Sequence, residues 1–224
     1  MAIKYKDVVP WGRNFDEYRR MFSLTETDLK IKILGCGDGP SSFNAECTRK
    51  GSVVVSVDPV YDLTREELQT RIEETREEVL RQTENNRDKF VWTGIKSVKD
   101  LGNVRMEAMK IFLEDYEKGK KEKRYITASL PELPFENDAF DLALSSHFLF
   151  LYSSNLSYDF HAAALKEMLR VAKEVRVFPL LDVNSVPSFH LFKLMEKFSA
   201  FHPSIQKVEY EFQKGGDEML VLKK

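Results

Sequence analysis

Ile31-Lys-Ile-Leu-Gly-Cys-Gly-Asp-Gly-Pro-Ser-Ser-Phe43 combines a short apolar run with three closely spaced glycines. The apolar run is short enough to be a buried strand, and it ends at Gly35. Glycines at positions 37 and 39 allow backbone conformations that other residues avoid, and they let a ligand approach the chain closely. The two serines that follow are typical of the start of a helix, whose N-terminal N–H groups would face the same ligand. The stretch therefore predicts a strand, a glycine turn and a helix, although a purely structural turn can use the same glycines.

Two further segments have the pattern of parallel strands that end in polar residues. Residues 53–57, VVVSV, are followed by Asp58 and Pro59, about twenty positions after the glycines. A carboxylate at the tip of a second strand is the group that accepts hydrogen bonds from a ribose in mononucleotide-binding folds. Residues 139–147, AFDLALSSH, predict another parallel strand, which opens onto serine and histidine side chains.

Taken together, these segments resemble the class I S-adenosylmethionine-dependent methyltransferases. The loop Gly35-x-Gly37-x-Gly39 matches the first motif of that family. Asp58 matches its ribose-binding acid, and residues 140–142, Phe-Asp-Leu, match its fourth strand. The resemblance covers residues 30–224 and implies S-adenosyl-L-methionine as the cofactor and methyl transfer as the activity.

The predicted fold is α/β, with a doubly wound, mostly parallel seven-stranded sheet. Residues 206–213 and 218–222 are expected to close the sheet as an antiparallel hairpin, with a tight turn at residues 214–217, KGGD. This closing pair favours the methyltransferase fold over a dehydrogenase fold, which continues with parallel strands. The whole chain is predicted to form one domain, residues 1–224, with a helical N-terminal cap at residues 1–29.

The segment at residues 61–123 is longer than a crossover between neighbouring strands needs. It is dense in Glu and Arg and predicts a helical insert between strands 2 and 3. We expect one helix over residues 64–90, a second from Asn103 to Tyr116, and a solvated basic turn at residues 118–124. The insert is expected to form a wall or lid over the acceptor site, or else an interface with another copy of the chain.

Composition excludes several classes of function. The chain has 34 basic and 36 acidic residues, so it has no global positive field to attract nucleic acid or an anionic membrane. Its two cysteines, Cys36 and Cys47, are too few for a disulfide framework and lack metal-site spacing. Residues 142–158 are uncharged, but five serines and an asparagine make a membrane span improbable. We expect a cytoplasmic protein without a signal peptide, a membrane partner or a metal.

The resemblance places the cofactor at the carboxyl ends of the strands. The residues that it implies are Gly35, Cys36, Gly37, Asp58, Pro59, Ser129, Leu130 and Ser145. Many relatives have an aspartate at position 129, so here a backbone N–H of Ser129 or Leu130 is the expected contact to the base. Arg13 lies ahead of the first strand and can pair with the methionyl carboxylate of the cofactor. The alternative is that Arg13 lies in water while Trp11 fills the edge of the domain.

Methyl transfer from a sulfonium depends mainly on positioning, and a base is needed only if the acceptor arrives protonated. His147 follows the fourth strand and can accept a proton near neutral pH. A hydrogen-bonded histidine that only orients the loop is an equally good interpretation. Tyr152 is the second catalytic candidate, with Tyr158 behind it, and His161 is expected to be structural.

The sequence favours transfer to a small-molecule acceptor, because the loop at residues 145–158 mixes aromatic and polar side chains. A non-catalytic module that binds S-adenosylmethionine or S-adenosylhomocysteine is an alternative, and a protein methyltransferase is a weaker one. A nicotinamide-dependent oxidoreductase would have a third glycine where Pro40 and Ser41 stand. Methylation of nucleic acid is disfavoured, since the fourth strand lacks an Asn/Asp-Pro-Pro-aromatic sequence and the chain has no basic bias.

Overall fold

The computed structural model describes residues 9–224, and residues 1–8 of the predicted cap lie outside this part of the chain. Its α-helices are α1 Phe15–Met21, α2 Phe43–Arg49, α3 Arg65–Asn85, α4 Val98–Lys121, α5 Tyr158–Val171 and α6 Leu191–Lys197. Its strands are β1 Lys32–Cys36, β2 Val53–Val57, β3 Tyr125–Ile126, β4 Phe140–Ser146, β5 Ala172–Phe178, β6 Ser204–Lys207 and β7 Glu218–Lys223. No helix in residues 9–224 is both long and apolar enough to cross a membrane.

The seven strands form one sheet in the order β3-β2-β1-β4-β5-β7-β6. β1 pairs in parallel with both β2 and β4, and β7 runs antiparallel between β5 and β6. These observations confirm the doubly wound, mostly parallel sheet and its antiparallel end. The chain order reverses between β1 and β4, which is the position where open α/β sheets bind ligands beyond the carboxyl ends of their strands.

The connection between β6 and β7 is longer than predicted. β6 ends at Lys207, where Lys207 pairs with Glu218, so residues 208–217 form the link in place of a tight four-residue turn. This link contacts the insert: Val91 N donates to the Phe212 carbonyl at 2.7 Å, and Lys214 N donates to the Lys89 carbonyl at 2.9 Å. Backbone groups of Phe212 and Lys214 are therefore used by the insert, while Val208 N still donates to the Asp217 carbonyl at 2.9 Å at the base of the hairpin.

The insert contains two long helices, as predicted, but the second is longer than expected. Ser97 caps α4 by accepting a hydrogen bond from Asp100 N at 3.1 Å, so the helix begins at Val98, five residues before the predicted start at Asn103. The basic run at residues 118–124 is also not a solvated turn throughout, because α4 continues to Lys121. Arg124 is buried and pairs with Asp115 at 2.6 Å.

The N-terminal cap packs against both the sheet and the insert. Asn14 begins α1 with a capping box to Glu17. Glu17 is buried and forms an ion pair with Arg105 of α4 at 2.6 Å, and it accepts a hydrogen bond from the Tyr210 hydroxyl at 2.9 Å. Three segments far apart in sequence meet at this carboxylate: the cap, the insert and the β6–β7 connection.

Candidate functional site

A cavity of about 440 Å³, which we call the main cavity, lies beyond the carboxyl ends of β1, β2 and β4. Its floor is the glycine loop, and one side is the strap, which we define as residues 9–13. The sequence-predicted residues in its wall are Arg13, Gly37, Asp58, Pro59, Ser129, Leu130 and His147. Most of the predicted cofactor residues are thus brought together, although they come from four separate parts of the chain.

The glycines of the loop are required for different structural reasons. Gly37 and Gly39 have φ angles of +72° and +53°, which side chains with a Cβ rarely adopt. Gly35 has an ordinary conformation, but a Cβ there would lie 1.8 Å from the Asp38 carboxylate, which folds back over it. Gly35 and the fully buried Cys36 therefore support the loop from below, and neither is part of the cavity wall.

Asp38 is a buried acid that sequence reasoning missed. Its carboxylate accepts hydrogen bonds from the Tyr18 hydroxyl at 2.8 Å and the Ser56 hydroxyl at 2.6 Å. Burial nevertheless raises the pKa of Asp38 to about 6, and the nearby Asp58 charge acts in the same direction. The position of Asp38 inside a glycine turn was the available signal for this buried carboxylate, because aspartate side chains in turns often form hydrogen bonds within the protein.

Asp58 has the position expected of a ribose acid. It follows β2 directly, is 9% exposed, and accepts hydrogen bonds from Gly39 N at 2.8 Å and Val60 N at 2.9 Å. Burial raises the pKa of Asp58, while these two N–H groups favour its charged form. Each carboxylate oxygen has more than one acceptor site, so both can also receive a hydroxyl from the cavity.

Arg13 is held by the strap close to the glycine loop. Gly12 allows this packing, because a Cβ there would lie 2.1 Å from the Pro40 carbonyl oxygen. The Arg13 side chain donates from Nη1 to the Trp11 carbonyl at 2.6 Å and forms no ion pair within residues 9–224. Burial lowers the pKa of Arg13, and the charge of Arg105 lowers it further. A guanidinium in this environment is suited to an incoming carboxylate.

Ser129 and Leu130 line the far end of the main cavity, beyond β3. Ser145 is different, because it lies within β4, is fully buried and contributes nothing to the cavity wall. Its hydroxyl has no hydrogen-bond partner within residues 9–224. The next residue, Ser146, is the one that reaches the cavity, so the sequence placed this serine one position too early.

His147 begins the loop after β4 and has a φ of +52°, a strained value for a residue with a side chain. Its backbone N–H donates to the Phe178 carbonyl at 2.7 Å, and Nδ1 lies 2.9 Å from the Ser146 hydroxyl oxygen. Burial holds the pKa of His147 well below its usual value, and the charges of Arg13 and Arg105 add to this effect. The imidazole is therefore neutral at physiological pH.

A second cavity of about 100 Å³, the side cavity, lies across the strap from the main cavity. The two share wall residues Val9, Trp11, Arg13 and His147. The insert adds α3 and α4 side chains, and the β6–β7 connection adds two residues; these are Val79, Thr83, Leu101, Arg105, Phe212 and Gln213. The sequence did not identify Arg105 or Phe212 as site residues, because neither stands near a motif.

Tyr152 lines the side cavity, and its hydroxyl oxygen accepts a hydrogen bond from Val9 N at 3.1 Å. Tyr158 lines neither cavity, and its ring lies 5.9 Å from that of His190. His161 is fully buried between the carbonyl oxygens of Ser157 and Leu149, at 2.8 Å and 3.0 Å, as a structural histidine would be. Residues 9–224 contain no cluster of His, Cys, Asp and Glu side chains that could hold a metal ion.

A family model described as a methyltransferase domain matches residues 103–175, which run from α4 into β5. The match covers about a third of the chain and is consistent with the predicted class I S-adenosylmethionine-dependent methyltransferase family. It supports methyl transfer that depends on S-adenosylmethionine as the general activity.

This methyltransferase also has a full-length relative. It is 38% identical over 225 residues to the uncharacterized protein MJ0045 of Methanocaldococcus jannaschii, covering 99% of each chain, so the two belong to one family. Among solved structures it is similar to the PH0226 protein of Pyrococcus horikoshii, with 13% identity, a TM-score of 0.46, and coverage of 87% of this chain and 82% of that one. A SAM-dependent methyltransferase of Aquifex aeolicus has 12% identity and a TM-score of 0.43, with 92% and 90% covered.

Proposed function

We propose that this methyltransferase binds S-adenosylmethionine in the main cavity and transfers its methyl group to a small-molecule acceptor in the side cavity. The observation that supports this most is that the two cavities meet at the strap and share His147 in their walls. Two reactants held on either side of one junction need little further ordering to react, which is the main requirement of methyl transfer.

The main cavity provides groups that fit each part of the cofactor. Asp58 is suited to the ribose, and the unpaired Arg13 guanidinium is suited to the methionyl carboxylate. Gly37 and Pro59 would contact the cofactor through the loop, and Ser129 and Leu130 would contact the base. Gly35, Cys36 and Ser145 would act through the shape of the loop and strand. When bound, S-adenosylmethionine supplies a methyl group that its sulfonium has already activated.

The side cavity favours a small acceptor over a polymer. Its volume is about 100 Å³, and the insert and the β6–β7 connection form much of its wall. We propose that the insert, residues 61–123, is a wall of the acceptor site within one domain. His147 and Tyr152 are the polar groups nearest to the junction that sequence analysis identified, and we propose that both contact the reacting molecules. Because both cysteines are free thiols, a cytoplasmic location is also proposed.

Calorimetry with S-adenosylmethionine, S-adenosylhomocysteine and NAD tests the cofactor. We expect the two adenosyl compounds to bind and NAD to bind far more weakly. A preference for NAD would overturn the proposal. As a matched control, Asp159→Asn removes an exposed carboxylate outside both cavities and should leave the affinities unchanged.

Incubation of a metabolite pool with the protein and methyl-labelled cofactor tests the acceptor. We expect label in a small product. Label found only in protein would favour a protein methyltransferase. Label found only in nucleic acid would overturn the proposal of a small-molecule acceptor. Tight cofactor binding without any turnover would favour the sensing module in place of the enzyme.

A further inference from the structure

We infer that the acceptor is a compact organic anion, whose apolar body of about one ring fills the side cavity and whose charged atom faces Tyr152 and Arg13. Because it names the class of molecule that receives the methyl group, this assignment rests on the proposed function. Three features of the side-cavity wall support the assignment. Its surface is mostly apolar, two of its polar groups have hydrogen-bond donors without acceptors, and none of the described residues that line it is an aspartate or a glutamate.

The wall of the side cavity is mostly apolar. Four aromatic side chains surround the volume of about 100 Å³; they are Trp11, Phe90, Tyr152 and Phe212. The rings of Phe90 and Phe212 stack on each other at 4.9 Å, which fixes this part of the wall. An aliphatic cavity of about 150 Å³ is large enough to bind benzene. The enclosed body of the acceptor is therefore limited to about one ring.

Two polar groups of the wall, the Tyr152 hydroxyl and the Arg13 guanidinium, have N–H or O–H donors without an acceptor in residues 9–224. The Tyr152 hydroxyl accepts from Val9 N, but its own proton donates to none of the described residues. Arg13 donates only through Nη1, to the Trp11 carbonyl. Tyr152 is 5% exposed, so water competes little for its proton. An anion at this place would receive charge-assisted hydrogen bonds in a poorly solvated environment.

The charges around the side cavity favour an anion over a cation. Arg13 and Arg105 both contribute to the wall, and no aspartate or glutamate is among its described residues. Glu17 neutralises Arg105, with both of its oxygens within 2.7 Å of Nη1. Arg13 has no such partner. Even with the cofactor carboxylate on one side of Arg13, an ammonium acceptor would find no carboxylate in this wall to pair with, whereas an anionic acceptor would meet the remaining Arg13 donors and the Tyr152 hydroxyl.

The state of His147 agrees with an acceptor that arrives deprotonated. Protonation of this imidazole would place a third positive charge beside Arg13 and Arg105 in a buried site, so it is a poor proton acceptor. An anion needs no base: its lone pair forms the bond to the methyl carbon, the carbon–sulfur bond breaks, and the electron pair of that bond goes to sulfur. The products are a neutral methylated molecule and a neutral thioether, so charge balances.

Binding of 4-nitrophenol to the protein saturated with S-adenosylhomocysteine tests this assignment. The phenol ionises near neutral pH and only its anion is yellow, so absorbance reports its protonation in the bound state. We expect the bound probe to ionise at a pH at least one unit lower than the free probe, which corresponds to a tenfold preference for the anion. Benzylamine, a cation of similar size, should bind at least tenfold more weakly than benzoate. An unchanged or raised ionisation pH, or equal binding of benzylamine, would overturn the assignment.

Two variants connect the result to the side cavity. Val183→Phe fills it and should weaken 4-nitrophenol binding at least tenfold, while Val186→Phe, at an exposed position outside both cavities, should not. Tyr152→Phe should remove part of the shift in ionisation, since it removes one donor. If Val183→Phe and Val186→Phe bind the probe equally, the anion site lies elsewhere and the assignment fails. Failure of S-adenosylhomocysteine itself to bind would count against the proposed function, and the two failures are thus distinguishable.

Discussion

The main cavity and the side cavity are built in opposite ways. The main cavity is built around a local motif: Gly37 and Gly39 have positive φ angles, and Gly39 N and Val60 N fix the Asp58 carboxylate. The side cavity is formed by side chains from the strap, two helices of the insert and the β6–β7 connection. One cavity follows from a local sequence motif, and the other exists only after distant segments have packed together.

The difference indicates how specificity and cofactor use are divided in this protein. A site built on a local motif depends mainly on the glycines and the acid of that motif. A site assembled from distant segments changes with each substitution in its wall, so the β6–β7 connection, which lines only the side cavity, can alter the acceptor site alone, whereas the insert lines both cavities through Asp62, Leu63 and Arg71 on the main-cavity side. The following experiments test that division, beginning with the largest expected effect.

Arg105→Met should be strongly destabilising, because it leaves the Glu17 carboxylate buried without its partner. Removing one member of a buried ion pair costs about 3–5 kcal/mol in the free energy of unfolding, measurable by urea denaturation. Burial alone would raise the pKa of Glu17, but the Arg105 charge holds it below its usual value. The stabilisation from the pair should therefore be fully present above the usual glutamate pKa and be lost as the pH falls through the lower folded-state pKa.

Arg81→Met is the matched control for that prediction. Arg81 pairs with Glu78 at 2.7 Å, but both side chains are about half exposed or more. A surface pair of this kind is worth at most about 1 kcal/mol. Equal losses from Arg81→Met and Arg105→Met would mean that the buried pair does not anchor the side cavity.

Asp58→Ala should weaken S-adenosylmethionine binding at least tenfold while the fold is retained. Each hydrogen bond to a charged acceptor contributes roughly 1.5–3 kcal/mol, and the ribose would lose its acceptor. Calorimetry measures the change in affinity. The side cavity should bind 4-nitrophenol as before when the cofactor is absent from both proteins. An unchanged affinity for the cofactor would remove Asp58 from the site.

Gly37→Ala and Gly51→Ala form a matched pair for the glycine loop. Both residues have positive φ angles, +72° and +85°, so each substitution should cost about 1–2 kcal/mol of stability. Only at Gly37 would the new Cβ meet a neighbour, the Phe148 ring at 3.1 Å, and only Gly37 lines the main cavity. Cofactor affinity should fall for Gly37→Ala alone. A similar fall for both variants would show a general effect of stability.

The smallest effect is expected from His147. Its pKa is lowered by burial and then by the two arginine charges, so the unfolded chain binds a proton there at a pH where the folded protein does not. Stability should therefore decrease as the pH falls below the usual histidine pKa, by at most about 1.4 kcal/mol per pH unit, and His147→Gln should remove this contribution. NMR titration of the His147 ring checks the same point directly. A normal titration midpoint would restore His147 as a candidate base.

The parts of the fold that sequence predicted share a local physical cause. The strand that ends at the glycine loop, the glycine turn itself and Asp58 at the tip of the second strand each depend on neighbours within a few positions. The start of α4 also has a local signal, the capping residue Ser97, but the apolar pattern inside the helix favoured a start at Asn103. Periodicity identified the helix better than its ends, as is usual for pattern-based prediction.

What sequence could not predict depends on long-range packing. The buried role of Arg105 requires a carboxylate 88 positions away in the chain, and nothing near either residue indicates the other. The early end of β6 has a similar reason, because the backbone of Phe212 and Lys214 forms hydrogen bonds with Val91 and Lys89 of the insert. Ser145 was selected in place of Ser146, since a strand's inward and outward faces change at each residue and its last position is difficult to locate.

The strap is a wall of two cavities at once, with Trp11 and Arg13 facing both. Its Val9 N–H is tied to Tyr152, which belongs to the side cavity alone. We therefore expect a molecule bound on one side of the strap to change the free energy of binding on the other side. Thermodynamic linkage makes this coupling reciprocal: whatever factor the donor contributes to acceptor affinity, the acceptor must contribute to donor affinity. Two sites that share the strap as a common wall are, in this sense, expected to bind their ligands cooperatively.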